Sequence, residues 1–204
     1  SCAGGRSTTA IFNFNREAAP DNYFFFEVSL KGLTGGHSGD DINKMRANAI
    51  KVLTRFLYLE QEKTDLRLVS FNSGKLHNAI PRDGKIIFAV PASEKENVRA
   101  DWNIFTHNVE DEFHVTDTTM VFNMGSTEAA PVLPTNVSRK LIQALQAIDN
   151  GIFSMCQDEA LAGMVETSSN VAVVKTYEDK IEILASQRRS EERRVGKECS
   201  EPCR

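Results

Sequence analysis

The ten residues Gly32-Leu33-Thr34-Gly35-Gly36-His37-Ser38-Gly39-Asp40-Asp41 set one imidazole among four glycines. Glycine reaches backbone conformations closed to other residues and lets a substrate approach the main chain closely. Histidine changes protonation near neutral pH and can give or take a proton there. The segment is not a phosphate-binding loop, because Gly39 is followed by Asp40 rather than by Lys and Ser or Thr. Two acids at a helix start would also repel a phosphate. What remains is His37 at a mobile loop tip beside a helix N-terminus. On spacing alone it is either a functional imidazole or an ordinary loop histidine.

The other titratable residues build no site. His77 precedes Asn78-Ala79-Ile80-Pro81, and His107 and His114 fall within or at the end of a helical stretch. No H-x-x-x-H, H-E-x-x-H or His-x-Asp pattern occurs, so no zinc motif is present. Asp40-Asp41 and Glu110-Asp111-Glu112 read as a helix cap and a solvated helix face. Asn136-Val137-Ser138 fits a glycosylation sequon, which matters only in a secreted protein. Cys2 and Cys156 stand alone, and Cys199 and Cys203 form one loose C-x3-C, so the expectation is free thiols in a reducing cytosol.

The elements that must position His37 follow from periodicity. Residues 8–14 and 22–31 are β-branched or aromatic and read as strands around the Pro20-Asp21 break. After the glycine-rich turn, Asp40 or Asp41 can cap a helix with Ile42, Met45, Ala49, Leu53, Phe56 and Leu57 on one face. Strands are predicted at 66–71 and 84–90, then a helix from a Ser93/Glu96 capping box to about Phe113. A strand over 118–123 precedes a third helix capped by Thr135 or Asn136, with Val137, Leu141, Leu145 and Ile148 on one side. Residues 151–156, 164–175 and 180–186 complete the strands. The pattern predicts an α+β fold: two strand-helix-strand-strand, ferredoxin-like units sharing one sheet, with helices on one face.

Composition sets the outer limits. The chain has 204 residues, 41% hydrophobic and 25% charged, which excludes general disorder. Its apolar runs are far shorter than the roughly 20 residues needed to cross a bilayer. With 24 basic against 28 acidic side chains the net charge is −4, giving no bulk attraction to nucleic acid or anionic lipid. No secretory signal is visible, although Ser1 is not an initiator Met. Residues 189–204 are polar and read as a disordered tail. Arg189 to Cys199 also resembles the conceptual translation of a sequencing-library adapter.

Several motifs, taken in order, carry a resemblance. Gly32 to Ile42, the helix ending Arg55-Phe56-Leu57, Leu66-Arg67-Leu68, Asn78-Ala79-Ile80-Pro81-Arg82 and Val165 to Val174 are similar to the aminoacyl-histidine dipeptidases. These are also called peptidase D or cytosol non-specific dipeptidases. Cys2-Ala3-Gly4-Gly5 resembles their passage out of the catalytic domain. The resemblance spans residues 1–188. It implies a cytoplasmic, two-domain dimetal zinc peptidase in which a lid is inserted into a catalytic domain. Residues 1–7 would be the end of that domain or a linker, and 8–188 the lid and dimerisation domain. The parent's two zinc ions would be held by ligands before and after the lid, so none is expected here.

The same resemblance implies site residues. Such lids form homodimers, and His37 would reach the other subunit's active site and donate a hydrogen bond to the oxyanion of a dipeptide under attack. Asn170 and Arg188 match residues that hold the substrate's terminal carboxylate, although Arg189 stands where the family has Ser. Asn78 is a competing substrate ligand. The opposing reading is a free-standing, non-catalytic α+β oligomerisation or binding module. The missing metal motifs generate one expected outcome. The purified chain alone should hydrolyse no dipeptide and retain no stoichiometric zinc; chelator-sensitive cleavage of an Xaa-His dipeptide would contradict this.

Overall fold

Apolar alternation along β2 (Tyr23–Lys31), β4 (Arg67–Ser73) and β6 (Gly84–Pro91) decides which face of the sheet is buried. Phe26, Val28 and Leu30 of β2 and Ile86, Phe88 and Val90 of β6 are fully buried on one side. Phe25, Val69 and Ala89 form a smaller cluster with Val132 on the other. Leu68 and Phe71 of β4 join the same side despite their odd spacing, because the register shifts between Leu68 and Ser70.

A computed structural model describes residues 4–157 and 162–189. Among these, an eight-stranded antiparallel sheet runs β1 (Gly4–Asn13), β10 (Lys180–Arg189), β9 (Val165–Thr176), β4, β6, β2, β7 (Val121–Ser126), with β8 (Gly151–Met155) also paired to β9. A separate two-residue ladder joins β3 (Gly36–His37) to β5 (Ala79–Ile80). Three helices, α1 (Ala49–Gln61), α2 (Lys95–Glu112) and α3 (Thr135–Ala147), bury their stripes in the same cluster as the sheet. Helix α1 packs against both others, and Phe56 meets Trp102 edge to face at 4.8 Å. The expected α+β fold with helices on one face is the fold observed.

The helix starts differ from the sequence expectation. Neither Asp40 nor Asp41 caps α1. Residues Ile42–Lys44 make a short 3-10 turn, which Met45 ends in a left-handed conformation with φ 53°, leaving its side chain 71% exposed. Asp41 is engaged elsewhere, by the His37 N–H and the Lys44 ammonium. The true cap is Asn48, whose Oδ1 accepts from the N–H groups of Ile50 and Lys51. The Ser93/Glu96 capping box does not form: a 3-10 turn over Ala92–Glu94 leads into α2, and Glu96 pairs with Arg99. Helix α3 starts at Thr135 directly after Pro134 with no side-chain cap.

At the ends of the chain, β1 takes in Gly4 to Ser7, paired with Arg189 to Ser186 of β10. Arg189 is therefore in a strand, although it opens the stretch expected as a tail. Residues 190–204, with Cys199 and Cys203, and residue Cys2 lie outside the described residues.

Lys51 joins α1 to α3. Its Nζ donates to the carbonyls of Leu145, Gln146 and Ile148 at 2.8, 2.9 and 2.8 Å, closing the C-terminal end of α3. Burial pushes the Lys51 ammonium below its ordinary value, opposed by Asp149. Lys51→Met keeps the apolar stem and removes the donors. It should lower stability by about 1.5–3 kcal/mol, the range for hydrogen bonds to a charged group, as read by urea denaturation.

Candidate functional site

His37 is placed by the β3–β5 ladder, where it stands opposite Ala79. Its own N–H donates to Asp41 Oδ2 at 2.8 Å and its carbonyl accepts from the Asp41 N–H at 2.9 Å. Next in the chain, the Ser38 N–H donates to the Asn78 carbonyl at 2.9 Å. The Lys44 ammonium, and after it the His37 N–H, hold the Asp41 carboxyl below the usual carboxylate range. Gly36 sits at φ 142°, and a Cβ there would meet Asp41 and Arg46 at 2.6 Å, so this approach of loop to side chains needs glycine. The loop expected to be mobile is tied at nearly every residue.

The imidazole ring is 38% exposed, and the groups around it bear on its tautomer. Nδ1 accepts from the backbone N–H groups of Gly39 and Asp40, both at 3.3 Å. These two bonds suit the tautomer with its proton on Nε2. Asp40 Oδ2 lies 3.1 Å from Nδ1. Nε2 lies 3.4 Å from Nη2 of Arg188 on β10. With the ring proton on Nδ1, toward Asp40 Oδ2, Nε2 accepts from Arg188; with the proton on Nε2, both atoms are donors. A shared acceptor, such as a carboxylate or an oxyanion, would satisfy both.

The structure therefore brings His37 and Arg188 into contact and sets the Asn78 backbone beside the loop. Asn78 lies beside Ser38, half-buried, and its side-chain amide makes no hydrogen bond among the described residues. Asn170 on β9 stands behind them. It is 1% exposed, its Oδ1 accepts from Asn48 at 3.2 Å, and its Nδ2 donates to the Ala79 carbonyl at 2.9 Å. At this position it holds the strand opposite His37.

Sequence reasoning missed the groups that brace this arrangement. Asn48 Nδ2 also donates to Asn150 Oδ1 and to the Val171 carbonyl, while Asn150 Oδ1 accepts the Val171 N–H. Asp117 accepts the N–H groups of Thr34 and Ala47, one on each oxygen. Arg82 and Arg46 donate to the carbonyls of Leu33 and Gly35. Asn48 carried one readable signal, an Asn directly ahead of a helical stripe, which the Asp40-Asp41 pair masked.

Gly39 lets Arg188 reach the ring. A Cβ at Gly39 would overlap Arg188 Nη1 and stand 3.3 Å from His37 Cε1. Gly39→Ala should move the guanidinium off His37 yet change stability by less than about 1 kcal/mol, since the displaced group is the free end of a flexible side chain. The Arg188 Nε–H and His37 Cε1–H resonances read the displacement, and urea denaturation reads the stability.

Residues 28–117 match the family described as the peptidase dimerisation domain. The chain is 36% identical over 183 residues to the cytosol non-specific dipeptidase of Escherichia coli (strain K12), covering 89% of this chain and 37% of that protein. It superposes on the crystal structure of aminoacylhistidine dipeptidase from Vibrio alginolyticus with a TM-score of 0.87 and 36% identity, covering 92% of this chain and 38% of that one. The chain thus spans little more than a third of the length of these relatives. On these matches the chain carries a peptidase dimerisation domain and is similar, over the part that contains it, to the dipeptidases of both organisms.

Proposed function

We propose that residues 8–188 are the lid and dimerisation domain of a cytoplasmic, zinc-dependent dipeptidase that works as a homodimer on Xaa-His or a broad range of dipeptides. The observation that carries this reading is the meeting of the loop imidazole with a β10 guanidinium, His37 Nε2 and Arg188 Nη2 lying 3.4 Å apart. The antiparallel pairing of Gly4 with Arg189 supports an inserted domain, because the chain enters and leaves through neighbouring strands.

Among the described residues no group of three or more His, Cys, Asp or Glu could hold a metal ion. The zinc ions of the proposed parent have no fit here, and no step in this chain runs through them. Bound elsewhere in the parent, zinc supplies an activated water. This chain's residues then do three things. His37 donates from Nε2 to the oxyanion that forms on the peptide carbonyl of the substrate in the other subunit. Arg188 grips the terminal carboxylate, with the Asn78 amide as an added donor. Asn170 keeps Ala79, and with it His37, in place.

The test is His37→Ala in the full-length enzyme. An oxyanion donor acts mainly in the transition state, so kcat should fall by about 10²–10³ with little change in KM. Metal content and dimerisation should stay intact. Mixing this variant with one disabled at a metal ligand pairs one intact metal site with one intact His37 from the other subunit, and part of the activity should return. If subunits exchange and no activity returns, His37 does not act across the dimer.

A further inference from the structure

We propose that Asp117 is a positioning residue for His37, the clasp that sets where the loop between residues 34 and 47 holds its imidazole. Asp117 is 1% exposed and no cation pairs with it among the described residues. Its Oδ1 accepts the Thr34 N–H at 2.8 Å, and its Oδ2 accepts the Ala47 N–H and the Thr116 hydroxyl, each at 2.9 Å. Thr34 Oγ1 returns a bond to the Thr116 carbonyl at 2.6 Å. One carboxylate thus gathers both ends of the loop in which His37 sits.

A buried carboxylate without a counter-cation is costly unless its oxygens are hydrogen-bonded. The chemistry explains why a charge stands here. Two backbone N–H groups from separate stretches of chain converge on one side chain, and a carboxylate offers two acceptor-only oxygens. An Asn would turn an NH₂ toward one of them. The clasp also reaches the site by a second route. Ala47 precedes Asn48, so Asp117 fixes where α1 begins and where the Asn48 side chain meets Asn170 and Val171. Asn170 in turn holds the Ala79 carbonyl opposite His37. Arg188 lies on β10 and has no bond to this clasp. The quantity that Asp117 sets is therefore the placement of His37 against Arg188.

The kinetic consequence rests on the proposed role of His37; the clasp does not. In the full-length enzyme, Asp117→Asn should lower kcat about 10-fold or more and move KM less than about twofold, since a misplacement near 1 Å can cost about 10²-fold. On a His37→Ala background the same change should cost less than about twofold further, because its effect passes through the imidazole. Equal losses in both backgrounds would make Asp117 a general stabiliser and overturn the proposal. If His37→Ala itself leaves kcat unchanged, the reading of His37 fails, and the clasp is judged by amide exchange in the 204-residue chain. There Asp117→Asn should speed exchange at Thr34 and Ala47 by about 10-fold or more while the amides of β2 and β6 keep their protection. Unchanged exchange at those two amides overturns the clasp. Should Asp117→Asn not fold, Thr116→Val removes a single donor and carries the same cycle with a smaller loss.

Discussion

A two-residue ladder cannot hold itself together in water, yet the pairing of Gly36–His37 with Ala79–Ile80 is what fixes the imidazole. Every feature around it makes sense as a tether on that short pairing. The Asn170 amide grips the Ala79 carbonyl from β9, and Asn78 accepts from Ser38 beyond the ladder's end. Asp41 takes the His37 N–H, and Asp117 anchors the loop where it leaves β2 and again where it meets α1. The strength of the main sheet is thereby lent to a pairing in which Ile80 alone is a buried apolar side chain. Loops of this kind carry function when a rigid scaffold aims them.

Electrostatics then give the held ring its character. Two backbone donors on Nδ1 suit a neutral imidazole with its proton outward, next to a guanidinium that is always charged. With the ring proton on Nε2 the two groups are donors side by side, a setting that favours an anion. The acids of the loop do not cancel this. Asp41 is turned inward to Lys44 and the His37 N–H, and Asp40 lies on the Nδ1 side, away from Arg188.

The strands and the helical stripes were legible in the sequence because burial imposes period two and period three-to-four on them. Phe26, Val28 and Leu30, or Leu141 and Leu145, announce their face directly. His37 stood out by its glycine-rich setting, while Asn78 and Arg188 were named only through resemblance, since nothing in the spacing shows that positions 37 and 188 touch. The tethers were not legible at all. Asp117 looks like any acid after a helix, and its worth lies in two N–H groups from residues 34 and 47 that converge only in three dimensions. The helix start was misread for a related reason. Asp41 has the composition of a cap, but its carboxylate is drawn to the His37 N–H, and the left-handed Met45 breaks the stripe that the apolar spacing suggested.

Arg188 sits on β10 opposite Gly5 of β1, so one of the two facing groups lies on the strands through which the described chain begins and ends. The other lies on a loop bound to β9 and to α1. These two sources are locked together by strand pairing between β9 and β10, which sets Asn170 opposite Ser186 and Ser168 opposite Arg188. A rigid-body rotation of the domain about its first and last strands would therefore carry His37 and Arg188 as a unit and preserve their 3.4 Å separation. Only a change at Gly39 or at the loop tethers would separate them. For a domain whose proposed task is to close over a substrate held elsewhere, the consequence is that closure delivers His37 and Arg188 as a preformed pair, and no ordering of the loop is left to oppose the reaction.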